Sequence, residues 1–402
     1  MLLVMLQTMR SVFSLERLSS ICVYIVLILV NVSYCPGIIL TPNYKIVMAV
    51  IMTAIGISLA LNLFKDLMYA ISLYIYYGVF ALTVCCITFL FYDVFIFSAT
   101  SNIFLTITCF LLGYSCYDHS PGFIEKCMRV YALSALFLGM YSVFINLGGF
   151  IISEQYAFSV KNSSGVLLGT AIILCAFILN STEKKIETRI WIMIMVLLSA
   201  CLLTFRCRTS ILSVFLSLIY YLHRRRVLVT LLQKNPLTML SVVGLLAIAW
   251  LLDLLPFEFI YDSLFANKDT SSLDSVMSGR LSTYDKGMKV FSESPILGNA
   301  LLRRHLPPID NFIISNLSYN GIIGAILMFP PYIFTWAICL KGMLKRSATD
   351  LYPFLALFLI CITSFTEGSY PFGPGTPVVC AWFLLGWIYK SSLLRNNENI
   401  ME

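Results

Sequence analysis

Uncharged apolar runs long enough to cross a bilayer recur almost without pause from Leu18 to Tyr389. A hydrocarbon core about 30 Å thick needs about 20 such residues in a helix. Lipid offers no hydrogen-bond partners, so each backbone amide in a run has to be satisfied within its own helix. Composition agrees, with 59% hydrophobic and 12% charged residues, against roughly 25% charged in a soluble domain. The runs leave no room for a separate soluble domain, so residues 1–402 read as a single all-α, polytopic transmembrane domain. The first run begins close to Met1, but many runs follow it and no small-residue cleavage site does. It therefore reads as a retained helix and not a cleaved signal peptide.

Metal and disulfide chemistry find little support. Of 13 cysteines, Cys85, Cys86, Cys109, Cys175, Cys201 and Cys361 lie inside apolar runs, and none forms a CxxC pair. They read as small apolar side chains packed between helices. The three histidines, His119, His223 and His305, are too scattered to suggest a multi-histidine site.

Polar breaks between the runs predict twelve helices, starting near residues 18, 44, 67, 103, 130, 165, 190, 209, 237, 312, 351 and 377. With a cytoplasmic N-terminus, 17 of the 27 basic residues fall inside, among them Lys184, Lys185, Arg224, Arg225, Arg226, Lys345 and Arg346. The positive-inside rule then places both termini in the cytoplasm. Eight basic residues oppose that bias in just two places. Arg206 and Arg208 occupy a turn between two helices, and Lys268, Arg280, Lys286, Lys289, Arg303 and Arg304 lie in a long outer loop, residues 256–311. Arginine suits phosphate through its planar five-donor fork. The bland alternative is a solvated loop, since the same segment holds seven acids.

Within the loop, Ser278-Gly279-Arg280 opens a stretch with Leu281, Tyr284, Met288 and Phe291 on one helical face. Ser278 reads as its N-cap and Pro295 as its stop. The pattern predicts a short amphipathic helix, either lying on the outer membrane surface or covering the bundle. Its N-terminus, with Arg280 in the first turn, offers amide donors to an anion.

Pro295-Ile296-Leu297-Gly298, Arg303-Arg304-His305, Asp310-Asn311 and Gly321-Ile322-Ile323-Gly324 follow in order. Together with the Arg206/Arg208 turn and Ser278-Gly279-Arg280, this order resembles the O-antigen polymerase and ligase family of the bacterial envelope. The detailed resemblance covers about residues 204–330. It implies a GT-C-like glycosyltransferase architecture in the inner membrane, acting at the periplasmic face on oligosaccharide linked to undecaprenyl diphosphate. Membrane lipids and a chain-length regulator protein are implied partners, and neither nucleic acid, metal nor other cofactor is. Ligases of the family usually carry His before the Asn, where this chain has Asp310, so polymerase is the first expectation and ligase the second. A lipid-linked oligosaccharide flippase or transporter is the non-enzyme rival, although neither repeated halves nor mid-membrane charges are apparent; Asp93, Asp118 and Asp253 sit near helix ends.

The resemblance assigns Arg206, Arg208 and Arg280, with Arg303 and Arg304, to the diphosphate. Arg303 and Arg304 could instead only attract anionic lipid or glycan. Asp310 is the candidate base or else merely the N-cap of the next helix. Glu367 is the reserve base or a hydrogen-bonding partner of the turn that follows it. Tyr261, Tyr284, Tyr370 and Phe372 read as sugar-stacking rings or interfacial anchors.

Overall fold

In a computed structural model of the chain, residues 15–39, 41–62, 67–92, 97–117, 119, 122–145, 161–226, 279–298, 309–373 and 375–401 are described. Every regular element among them is helical. The first five are α1 (Leu15–Val32), α2 (Pro42–Asn62), α3 (Leu67–Tyr92), α4 (Phe97–Ser115) and α5 (Phe123–Ile145). α6 (Lys161–Ser181), α7 (Lys185–Thr204) and α8 (Arg208–Arg224) follow. Later in the chain come α9 (Arg280–Glu293), α10 (Phe312–Lys345), α11 (Tyr352–Thr363) and α12 (Val379–Met401).

Among the described residues, eight helical segments are long and apolar enough to cross a membrane. Their outer faces carry Met68, Phe144 and Ile186 at 81, 73 and 75% exposure, side chains that water would not tolerate in such density but lipid does. Helices begin within seven residues of eleven of the twelve starts predicted above; the start near 237 lies outside the described residues. Two of those helices are shorter than a full span: α8 has 17 residues and α11 has 12.

The core is built around α6. Every residue from Ser163 to Cys175 is buried, enclosed by α5, α7, α8 and α11. A helix apolar on all sides has no solvent face and belongs in the centre. α1 and α2 form an antiparallel hairpin packed on α5 through α1, closed by Ser19 Oγ and Ser58 Oγ at 2.7 Å, while α12 runs along α4.

The two ends of the bundle differ chemically. At one end Arg129 pairs with both Glu125 and Glu187. There Arg224 Nη2 donates to the Arg346 carbonyl at 2.5 Å, and the Tyr220 hydroxyl donates to that of Met343 at 2.6 Å. These contacts gather the Lys184–Lys185, Arg224–Arg226 and Lys345–Arg346 clusters at a common end. The N-terminal ends of α6, α8 and α10 lie at the other.

α9 packs on α10, and in doing so corrects two details of the sequence reading. Its N-cap position is held by Gly279 in the left-handed region, φ 75°, and not by Ser278, which lies outside the described residues. Its inward side centres on Gly287 and Val290, with Leu281, Thr283, Tyr284 and Phe291 half-buried, while Met288 stays exposed. Gly287 sets that centre: a Cβ there would lie 2.8 Å from Ile314 and 2.9 Å from Ile309, so only hydrogen allows this approach. Ser318 Oγ then donates to the Gly287 carbonyl at 2.8 Å.

Candidate functional site

Five segments distant in sequence meet at the less basic end: the start of α6, the α7–α8 turn, the start of α9, the approach to α10, and the loop between α11 and α12.

The approach to α10 is set by Asn311. Its extended backbone and side chain make it the N-cap, with Oδ1 accepting from the Ile313 and Ile314 amides at 3.0 and 3.1 Å. Asp310 is therefore not the cap, and its carboxylate is left to other work. The Phe312 amide donates to the Ser364 carbonyl at 2.9 Å, and Asn311 Nδ2 donates to Phe365 O at 3.4 Å. These bonds clamp the α10 N-terminus to the end of α11.

Arg280, first residue of α9, reaches across the clamp. Its Nη2 donates to the Thr366 carbonyl at 3.3 Å, and its Nε lies 3.7 Å from Asp310 Oδ2. That separation is an ion pair but longer than a hydrogen bond. Tyr284, one turn on, brings its hydroxyl within 3.0 Å of the Asp310 carbonyl and 2.9 Å of the Phe365 carbonyl. It packs at the site with its side chain half-buried. Tyr370 and Phe372 do not: both are fully buried, Phe372 against Phe312 and Trp382. They are core residues and neither sugar platforms nor interfacial anchors.

Glu367 follows Thr366 and receives the Asn162 side-chain amide from the start of α6. Asn162 Oδ1 in turn accepts from the Cys207 thiol at 3.5 Å, and Thr209 Oγ1 meets Thr366 Oγ1 at 3.0 Å. Cys207 and Thr209 flank Arg208, and Arg206 precedes them with φ 53°, a left-handed conformation unusual for a residue with a side chain. The arginine turn is thus tied directly to the carboxylate-bearing loop, and Arg208 stands in the first turn of α8, where the macrodipole adds to its charge.

Burial raises both carboxyl groups. For Asp310 the nearby Arg280 partly offsets it. For Glu367, burial and then the negative charge of Asp310 push the group up to about 7, against the opposing pull of Asn162, Arg280 and Lys161. Burial also raises the Tyr284 phenol. One carboxyl is thereby poised to exchange a proton near neutral pH.

Of the residues expected at the site, Asp310, Arg280, Glu367 and the Arg206/Arg208 turn come together. Arg303, Arg304, Lys268 and Tyr261 lie outside the described residues. Asn162, Cys207, Thr209 and Thr366 were not singled out by the sequence. The only signal for Asn162 was the polar stretch Lys161-Asn162-Ser163-Ser164 opening an otherwise apolar helix. No protein-family model matches the chain, and no curated protein matches it either.

Proposed function

We propose that this chain is a membrane glycosyltransferase that polymerises surface polysaccharide, joining undecaprenyl-diphosphate-linked oligosaccharide repeat units at the outer face of the bacterial inner membrane. The observation that carries the reading is the meeting of arginines and two carboxyl groups at the end of the bundle opposite the clustered basic residues. By the positive-inside rule that end is periplasmic and both termini are cytoplasmic.

Such a reaction needs two kinds of group. Cations hold the departing diphosphate, and a base accepts the proton of the attacking sugar hydroxyl. Arg206, Arg208 and Arg280 supply the first, each contributing about 3 kcal/mol to barrier lowering where water is scarce. One of the two carboxyl groups, Asp310 or Glu367, supplies the second. Arg303 and Arg304 assist in the same loop, and a chain-length regulator in the membrane is the expected protein partner. The donor carries its own activated leaving group, so no nucleotide sugar enters the reaction.

Deleting the chain and resolving the cell-surface polysaccharide on a gel tests the reading. Single repeat units on lipid A core, in place of a ladder, are the expected result. Bare core with polymer still on undecaprenyl diphosphate would mark a ligase, and bare core with repeats trapped inside would mark a flippase.

A further inference from the structure

The two carboxylates of the site stand in different company. Asp310 faces Arg280 across 3.7 Å and has its backbone carbonyl beside the Tyr284 hydroxyl. Glu367 instead receives the amide of Asn162, which comes from the most buried helix of the bundle. That amide is oriented from its other side as well. Its Oδ1 lies 3.5 Å from the Cys207 sulfur, which also stands 3.1 Å from Ser210 Oγ, and an ionised Glu367 carboxylate only accepts, so Nδ2 is the atom that points at Glu367. Asn162 is thus a bracket between the arginine turn and the carboxylate loop.

We propose that Glu367 takes the proton of the attacking hydroxyl, that Asn162 is the positioning residue that holds its carboxylate, and that Asp310 serves Arg280 rather than the substrate proton. This inference rests on the polymerase reading. In the step, the acceptor hydroxyl oxygen bonds to the anomeric carbon of the donor as the bond from that carbon to the diphosphate oxygen breaks. The electron pair leaves with undecaprenyl diphosphate, the hydroxyl proton passes to Glu367, and Glu367 later returns it to water.

Glu367 is faced by Lys161 and Asn162 from α6, Cys207 from the α7–α8 turn, Arg280 and Tyr284 from α9, Asp310 before α10, and Tyr370 in its own loop. The signs follow from these neighbours. A donor on a carboxylate favours its ionised form, so losing Asn162 moves Glu367 titration to higher pH, and N162D moves it further. Losing the negative charge of Asp310 moves it to lower pH.

The test uses the purified full chain and two readouts: the pH dependence of ladder synthesis from lipid-linked repeat units, and the infrared band of protonated carboxyl followed through titration. In wild type the acidic limb of the rate should fall near pH 7, with a carboxyl band titrating there that E367Q removes along with turnover. N162A should move limb and band together by about one pH unit upward. D310N should move both downward, with a smaller loss of turnover than E367Q. N162D, nearly isosteric, serves if N162A fails to fold. Ladder synthesis by E367Q at wild-type rate, an unmoved limb in both Asn162 variants, or dead D310N beside active E367Q would overturn the inference. If band and limb part company because wild type makes no ladder at all, the polymerase reading and the catalytic role fall together, whereas a band that still shifts in N162A upholds the bracket.

Discussion

Arg280 has to satisfy two partners in different directions, the Thr366 carbonyl at 3.3 Å and the Asp310 carboxylate at 3.7 Å. A planar fork does this and a lysine ammonium cannot, even though charge is kept. R280K should therefore cut ladder synthesis by about 100-fold or more, and R208A should be as severe, at unchanged protein level. K286A, on the exposed face of α9, should leave the ladder within about two-fold, as surface charges usually do. Full-length polysaccharide in both arginine variants would remove the diphosphate assignment. At this scale the sequence named residues well and chose between neighbours poorly. Asp310 and Asn311 are equally good capping types, and only the backbone angles of Asn311 and its bonds to Ile313 and Ile314 decide which one caps. The same holds for Tyr284, Tyr370 and Phe372, three aromatics in similar polar surroundings, of which two turn out to be core.

The Pro-x-x-Gly and Gly-x-x-Gly elements, read separately in the sequence, are two halves of one joint. α10 is interrupted at Gly321, with φ 61° and ψ −160°, backbone that only glycine adopts without strain. The interruption releases the Ile322 and Ile323 amides, which donate to the Pro295 and Ile296 carbonyls at 2.9 and 3.2 Å. A Cβ on Gly321 would meet Ile296 O at 2.3 Å, and one on Gly298 would meet Gly321 N at 2.4 Å. The joint fastens the C-terminal side of α9 to α10 and so holds Arg280 over Asp310. G321A should destabilise the fold by about 1–3 kcal/mol, speed proteolysis within residues 279–298 and lower ladder synthesis. G56A, where an added Cβ has nothing within 4 Å, is the control and should change neither. Equal protease resistance of G321A and wild type would mean that the joint is not what secures α9. No periodicity encodes this contact, because it joins backbone to backbone across a loop. The centre of the α9 face was hidden for a similar reason: apolar spacing pointed to Leu281, Tyr284, Met288 and Phe291, of which Met288 is exposed, and the absent side chain of Gly287 decides which side approaches most closely.

For the molecule as a whole, the all-helical class and the order of the described helices were the legible part, since bilayer length imposes a strong pattern on sequence. The length of each span was less so. α11 is short because it lies among other helices and answers to protein packing more than to the thickness of lipid; it is buried along almost its whole length, whereas α8 keeps Leu212 and Phe215 exposed on an outer face. The site was half legible. Arg206, Arg208, Arg280, Asp310 and Glu367 stood out as charges near apolar boundaries, whereas Asn162, Cys207, Thr209 and Thr366 are ordinary polar residues whose part comes only from the folding of five segments onto one end. What the assembled site predicts as a unit is chemistry that needs lipid-linked repeat units and nothing further. The direct measurement is therefore purified chain incubated with undecaprenyl-diphosphate-linked repeat units alone, without metal, nucleotide sugar or lipid A core, and the products resolved by size. Ladders of two or more repeats are the predicted result. A folded, monodisperse preparation that makes none, yet transfers glycan once lipid A core is supplied, would contradict the polymerase account and make the chain a ligase.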